Sequence, residues 1–170
     1  CANTTGCFNV GMGYGVLKAN TTGNCNVASG PYALDANTTG ASNVAVGYEA
    51  LGSNTTAGNN TAYGAYSLYT NSTGAENTAV GQGALFANTT GGNNTASGRY
   101  TLYANTTGAN NTAYGYLASR LNTTGAHNTG IGNYALYAAT TGTNNTAIGS
   151  FALGVGVVTG YRNTAVGYQA

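Results

Sequence analysis

Charged side chains are nearly absent from this sequence. Of its 170 residues, four are Lys or Arg and three are Asp or Glu, which amounts to 4% of the chain and a formal net charge of +1. Soluble globular domains carry roughly 25% charged residues, so this chain needs another source of solubility, which Asn and Thr side chains supply in part. So small a net charge gives no electrostatic basis for binding nucleic acid or an anionic membrane surface.

Other marks of common protein classes are missing as well. The chain has no Trp, one His, one Pro and one Met. It has no run of about 18 apolar residues, so we expect no membrane insertion. It has no signal peptide, which an exported protein would already have lost.

The sequence instead contains a 17-residue repeat. The tetrapeptide Asn-Thr-Thr-Gly, or a variant with one substitution, starts at Asn3, Asn20, Asn37, Asn54, Asn71, Asn88, Asn105 and Asn122. The phase continues through Ala139 and Gly156, which gives ten copies. A fixed period of this length is typical of a solenoid. We expect residues 1–170 to form a single repeat domain, a segment of a longer fibre or filament, because the chain opens and closes inside a repeat.

Four positions of the repeat, numbered from the first Asn, hardly vary. Position 7 is Asn in all ten copies, the last being Asn163 after a one-residue insertion near Val157. Position 9 is Ala or Gly, position 11 is Gly, and position 15 is Leu except at Ser119. In positions 7 to 11 the fixed residues alternate with variable ones, which favours a strand with one face inward. A helix is disfavoured because each recurrent Gly would cost it about 1 kcal/mol.

This pattern predicts an all-β fold, a β-solenoid or β-roll of about ten 17-residue coils with short parallel strands. We expect one strand over positions 7 to 11 and a second over positions 12 to 16 that carries Leu inward. Coils stacked about 4.8 Å apart would form a rod roughly 45–50 Å long. The Asn at position 7 either stacks into a ladder of amide hydrogen bonds or closes a turn on its own backbone.

Aromatic residues follow a second rhythm, of 34 residues. In one set of copies Tyr occupies position 13, at Tyr32, Tyr66, Tyr100 and Tyr134, and in three of these copies also position 16, at Tyr69, Tyr103 and Tyr137. In the other set Tyr occupies position 12, at Tyr14, Tyr48 and Tyr116. Two interpretations fit this pattern. Either adjacent coils lack room for two large rings, or the rings form an outward stripe that packs against another molecule.

Three stretches carry a resemblance to known repeat proteins: NVAVGYEAL (43–51), NTAVGQGAL (77–85) and NTAVGYQA (163–170). They resemble the head repeats of trimeric autotransporter adhesins, which form a left-handed parallel β-roll. They also resemble the NTAVGYQAL-type repeats of bacterial and phage tail-fibre-like surface proteins. The repeat here is longer than in the adhesin heads, and its extra residues fall in the Asn-Thr-Thr-Gly turn. The resemblance implies an extended extracellular or cell-surface fibre, stalk or adhesin head.

The sequence contains twelve Asn-x-Thr/Ser acceptor sites for N-glycans. Eight are the turn residues Asn3, Asn20, Asn37, Asn54, Asn71, Asn88, Asn105 and Asn122. Four more, beside the strand, are Asn59, Asn93, Asn110 and Asn144. The repeated turn predicts a row of covalent glycans along one edge of the rod. The alternative is that Asn-Thr-Thr-Gly is simply a good turn.

The three Cys residues suggest one disulfide. Cys7 and Cys25 occupy positions 5 and 6 of consecutive coils, where stacking would bring them within bridging distance. The alternative is two free thiols in positions that otherwise hold small residues. Cys1 would then be left to cross-link to a neighbour. Without a Cys-x-x-Cys pair, these residues do not predict a zinc site.

No constellation of residues points to catalysis, a cofactor or a metal. The single His127 lies at a variable position, where we expect it to be solvated. Asp35, Glu49 and Glu76 occupy three different repeat positions, which indicates no paired-carboxylate site. The Gly-rich stretch 11–15 belongs to the repeat and opens no helix, so it does not predict a phosphate site. The basic residues are scattered and form no evident patch: Lys18, Arg99, Arg120 and Arg162.

The sequence thus favours a structural protein over an enzyme. Open solenoid ends are unpaired strand edges that polymerise unless capped, so we expect self-association end to end into a filament, or a homotrimer. The second hypothesis is an adhesin or tail-fibre module whose Tyr stripe contacts a glycan or a host surface. A third is ice binding through the Thr residues of position 8, but position 10 breaks that array with Tyr63, Val80 and Ser97.

Overall fold

The computed structural model describes residues 2–156 and 158–170. Its elements are ten three-residue strands, β1 (Val10–Met12), β2 (Val27–Ser29), β3 (Val44–Val46), β4 (Thr61–Tyr63), β5 (Thr78–Val80), β6 (Thr95–Ser97), β7 (Thr112–Tyr114), β8 (Thr129–Ile131), β9 (Thr146–Ile148) and β10 (Thr164–Val166). All are parallel and lie in chain order in one sheet. The chain is therefore a β-solenoid of about nine turns, which confirms the predicted fold class.

Equivalent residues of successive coils lie directly beside one another. Ala45 of β3 pairs with Ala62 of β4, for example, at the spacing of the repeat. Between β9 and β10 the partner of Thr146 is Thr164, one residue further than the repeat requires, so the insertion is absorbed before β10 without loss of register. No helix in the part of the chain that the structure describes is long and apolar enough to cross a membrane.

The interior is thin and is filled by three columns of apolar residues. The Ala of position 9 is the buried middle residue of most strands, and its two neighbours face outward, as the alternation predicts. The Ala of position 14 and the Leu of position 15 complete the core, with Leu34, Leu51, Leu68, Leu85, Leu102 and Leu136 fully buried. Burying a Leu side chain contributes about 1.5–3 kcal/mol, so this single Leu column is the main apolar contribution of each coil.

The second strand predicted over positions 12 to 16 is absent, because this segment consists of turns. Two of its residues have left-handed backbone conformations, as at Glu49 (φ 53°) and Leu51 (φ 52°), and the same two positions repeat this in the other coils. A left-handed residue between ordinary ones curls the chain, so no extended run can form. Such a conformation costs roughly 1–2 kcal/mol for a non-glycine residue, a cost that burial of the Leu side chain offsets.

The Gly of position 11 is required by the distance between coils. Gly64 has φ +132°, and a Cβ added to it would lie 2.7 Å from the carbonyl carbon of Gly81 in the next coil. The other Gly residues of this position face the next coil in the same way up to Gly149. Any side chain here would force two coils apart, which explains why the residue does not vary.

The Asn of position 7 forms a ladder through the coils. Asn43 Oδ1 accepts a hydrogen bond from the backbone N–H of Asn60 at 3.0 Å, and Asn43 Nδ2 donates to Ala57 O at 2.9 Å, both in the following coil. Asn43 Nδ2 also donates back to Asn26 Oδ1 at 3.1 Å. The ladder interpretation is therefore confirmed, although its links join side chain to backbone more often than amide to amide.

Candidate functional site

The turn Asn residues lie inside the coil. Asn37 Nδ2 donates to Asn20 Oδ1 at 2.8 Å and to Gly40 O at 3.0 Å. The same two bonds, with an exposed fraction of 0 or 1%, are found at the turn Asn residues Asn20, Asn37, Asn54, Asn71, Asn88, Asn105 and Asn122. The nitrogen that a glycan would modify is thus enclosed and already bonded twice. The prediction of an exposed row of acceptors is wrong for these seven residues, and only Asn3 in the first coil is exposed.

This second Asn ladder ends where the sequence loses its Asn. Ala139 replaces Asn in the coil after Asn122, and the buried Oδ1 of Asn122 has no hydrogen-bond partner among the described residues. The sequence signal for the ladder was the invariance of the turn, which we interpreted as a surface feature. A buried amide needs partners, and stacking identical Asn residues supplies them.

The four sequons beside the strand are exposed, in contrast to the turn Asn residues after Asn3. Asn59, Asn93, Asn110 and Asn144 are exposed, and their side-chain amides make no hydrogen bond to another described residue. Each has a left-handed backbone with φ between 57° and 60°, a conformation that Asn tolerates well. They remain candidate glycan acceptors in a coil whose hydrogen bonds do not depend on them.

Cys7 and Cys25 are exposed free thiols, so the predicted disulfide is wrong. Cys7 lies in register with Asn24, whose Oδ1 accepts from the Cys7 backbone N–H at 2.7 Å. Cys25 is one position further along and meets Cys7 only through a backbone bond, from its N–H to Cys7 O at 3.0 Å. The Cys7 thiol instead donates to Thr5 O at 3.4 Å, and Cys25 has a left-handed backbone (φ 57°). Cys1 lies outside the described residues.

The rings of positions 12, 13 and 16 form two runs of neighbouring rings, together called the aromatic ribbon. Neighbouring centroids lie 4.9–6.4 Å apart. One run joins Tyr14, Tyr32, Tyr48, Tyr66, Tyr69, Phe86, Tyr103 and Tyr100, and another joins Tyr116, Tyr134, Tyr137, Phe151 and Tyr168. Most of these rings are half-buried against one another, and the exposed ones are Tyr14, Tyr48, Tyr116 and Tyr168. The ribbon therefore runs along one side of the solenoid.

Space explains part of the 34-residue rhythm. A Cβ added to Gly83 would lie 2.7 Å from Cδ1 of Tyr100, so the Tyr100 ring occupies the room that a side chain at position 83 would need. Adjacent coils can nevertheless hold two rings when these are parallel: Tyr134 and Phe151 stack at 4.9 Å with an interplanar angle of 5°. Crowding thus accounts for Gly83 but not for the whole pattern.

An acidic pocket lies beside the first run of the aromatic ribbon. It has a volume of about 420 Å³ and is lined by Tyr32, Asp35, Glu49, Gly52, Ser53 and Tyr69. Burial raises the pKa of Asp35, with a further rise from the Glu49 charge, while Lys18 acts in the opposite direction. Hydrogen bonding to the Glu49 carboxylate raises the pKa of Tyr48 to about 12, and the Glu49 charge also raises the pKa of Tyr69.

The sequence interpretation missed this pairing of carboxylates. Asp35 is at position 16 of one coil and Glu49 at position 13 of the next, so they share no repeat position. The signal was available in the Tyr pattern, because Tyr also occupies positions 13 and 16 and so marks them as neighbours on one surface. Glu76 and His127 are exposed elsewhere, at position 6.

The remaining surface shows no metal centre. Within residues 2–156 and 158–170, no three His, Cys, Asp or Glu side chains are grouped so that they could hold a metal ion. The end coils expose large apolar side chains, with Phe8 85% exposed at one end and Val155 79% at the other.

Comparison of the chain with protein-family models, with curated proteins and with solved structures gives no match.

Proposed function

We propose that this chain is a structural part of an extracellular or cell-surface fibre or stalk. The observation that supports it best is that each coil binds the next through the same backbone pairings and the same position-7 Asn ladder, joined as far as Asn122 by the turn-Asn ladder. Such a molecule gains length by one coil per repeat without requiring a new kind of contact. A surface location is supported by the resemblance of NTAVGYQA (163–170) and its related stretches to tail-fibre-like surface repeats, and by the low charge of the chain.

The proposal is tested on material from the source organism. An antibody against the chain is expected to label filaments or stalks outside the cell envelope in electron micrographs, and mild surface proteolysis is expected to remove the label. Fibre diffraction from purified material is expected to show a meridional spacing of about 4.8 Å from the stacked coils. Labelling confined to the cell interior would contradict the proposal.

A binding module, such as an adhesin segment, is the second candidate, and the aromatic ribbon is the observation that favours it. Half-buried aromatic rings are suited to contacts with sugars or proteins. Changing Tyr66, Tyr100 and Tyr134 together to Ala is expected to abolish binding on a glycan or host-cell array. The matched control changes Tyr63 and Tyr114, which are exposed on the outer face of the sheet, and should leave binding intact. Equal binding by both variants would eliminate the ribbon as the contact surface.

A further inference from the structure

The rings of position 16 form a stacked column with two different ends. Phe86 lies between Tyr69, at 5.3 Å and 25°, and Tyr103, at 4.9 Å and 10°. At the Tyr103 end the next coil provides Arg120, whose guanidinium carbon lies 5.5 Å from the Tyr103 centroid. Arg120 Nη1 also donates to the Tyr137 hydroxyl at 3.2 Å. One end of the column is thus covered by a cation that belongs to the chain itself.

The other end of the column has no such cover. The coil before Tyr69 carries Gly52 at position 16, so the column has no position-16 side chain on the side of Tyr69 that points away from Phe86. A Cβ added to Gly52 would lie 3.3 Å from Cδ2 and from Cε2 of Tyr69, so one edge of the ring lies beside the position whose side chain is missing. The acidic pocket of about 420 Å³ opens at this point.

The charge at this end is opposite in sign to the charge at the Arg120 end. The chain has only three carboxylates, and two of them, Asp35 and Glu49, line the pocket. Lys18 is the cation that acts on Asp35, and its effect on the Asp35 pKa is smaller than the effects of burial and of Glu49. An aromatic face with carboxylates beside it attracts a cation through the ring quadrupole and through direct charge interaction.

We propose that the acidic pocket binds a guanidinium group, which lies on the free face of Tyr69 as Arg120 lies on Tyr103, with Asp35 and Glu49 as its counter-charges. Guanidinium is planar and weakly hydrated, stacks on aromatic rings and donates paired hydrogen bonds to carboxylates, so it matches both features of the pocket. The group comes either from a free small molecule or from an Arg side chain of another protein. This site is independent of the proposed fibre role.

The direct test is a titration of the full chain followed by NMR. Ethylguanidinium chloride is expected to shift the backbone amide signals of Gly52, Ser53 and Tyr69 with a dissociation constant of about 1 mM. N-ethylurea, which has nearly the same shape but no charge, should cause no saturable shift. Equal shifts with both compounds, or none with ethylguanidinium at tenfold higher concentration, would overturn the proposal.

Variants of the carboxylates separate the pocket from general electrostatics. The double variant Asp35→Asn, Glu49→Gln is expected to weaken binding at least tenfold, because it removes both counter-charges and keeps the side-chain shapes. Glu76→Gln removes the same kind of charge at an exposed position outside the pocket, and should change affinity less than twofold. A loss as large in Glu76→Gln as in the double variant would contradict the site.

A third variant fills the pocket from within. In Gly52→Arg the new side chain reaches Tyr69 from the preceding coil, whereas Arg120 reaches Tyr103 from the following coil. It should fill the pocket, so binding of ethylguanidinium should be lost while thermal stability is kept or raised. Retained binding in this folded variant would count against the proposal.

A Gly-Arg-Gly peptide distinguishes the two sources of the guanidinium group. Affinity more than tenfold above that of ethylguanidinium indicates an Arg side chain of a protein, and equal affinity indicates a free small molecule. A Gly-citrulline-Gly peptide that binds as tightly would refute recognition of charge.

Discussion

At the scale of single residues, the turn Asn shows how a side chain typical of surfaces becomes part of a core. Asn71 Nδ2 donates to Asn54 Oδ1 and Gly74 O, and its Oδ1 accepts from Asn88 Nδ2. All of these atoms belong to buried or largely enclosed groups, where an unmade hydrogen bond is costly. Each turn Asn is therefore required as the hydrogen-bond partner of the turn Asn in the neighbouring coils.

Breaking this ladder should destabilise the protein measurably. Asn71→Ala leaves the buried Asn54 Oδ1 without its donor and removes one of the two donors to Gly74 O, which keeps the bond from Asn60 Nδ2. We expect a loss of about 2–3 kcal/mol in the free energy of unfolding, measured by urea denaturation. Asn122→Ala should cost less, because Asn122 Oδ1 already lacks a partner. Asn59→Gly is the control, since Asn59 is exposed and left-handed and Gly adopts that conformation freely. A loss at Asn59→Gly equal to that at Asn71→Ala would refute the structural role of the ladder.

At the scale of the coil, the strand follows from the sequence but the turn segment does not. The alternation of Asn, Ala and Gly with variable residues identified the strand and its inward face. Positions 12 to 16 have β-compatible residues, yet Glu49, Leu51 and their equivalents adopt left-handed conformations. Neither Glu nor Leu prefers a left-handed backbone, so the residues themselves do not predict this conformation. The requirement to return the chain within 17 residues while burying Leu decides the conformation, and only the stacked structure reveals it.

The same logic applies to the candidate sites. Sequons can be counted in the sequence. Whether the turn Asn is buried depends on whether the turn directs its side chain into the coil or toward solvent, and the sequence does not show this direction. The Cys prediction failed for a similar reason, because the residue in register with Cys7 is Asn24 and Cys25 lies one position further along its coil. The acidic pocket exists because position 52 has no side chain. The sequence does not predict this pocket, because it does not show that Tyr69 lies beside Gly52.

The close approach of coils at position 11 gives a prediction for the coil as an element. Gly64→Ala would place a Cβ 2.7 Å from the Gly81 backbone at a φ of +132°, so we expect a loss of more than about 3 kcal/mol in stability or failure to fold. Gly52→Ala is the matched control, because its added Cβ would have nearest contacts of 3.3 Å and its φ is ordinary. Thermal unfolding followed by circular dichroism compares the two. The steric explanation fails if Gly64→Ala melts within a few degrees of the control.

At the scale of the whole molecule, the ends of the sheet determine whether rods join. β1 and β10 each pair on one side only, so each leaves a row of unpaired backbone groups. In β9 the N–H of Thr146 donates to Asn163 O in the following coil, and by the same geometry the N–H groups of Thr164 and Val166 point outward from β10. An edge of this kind is a template for a further strand.

Blocking this edge should therefore prevent end-to-end association of the chain. Val166→Pro removes an outward N–H at an edge strand, where proline is tolerated, and is expected to raise the dissociation constant for self-association at least tenfold in sedimentation equilibrium. The melting temperature of the dilute protein should change little, because this N–H makes no bond within the chain. Val166→Thr keeps the N–H and reduces apolar exposure by a similar amount, so it should associate as the unaltered chain does. If both variants associate as strongly as the unaltered chain, the β10 edge is not the joining surface. If both fail to associate, the rods are held together by apolar contact of the exposed Val166 side chain and not by strand pairing.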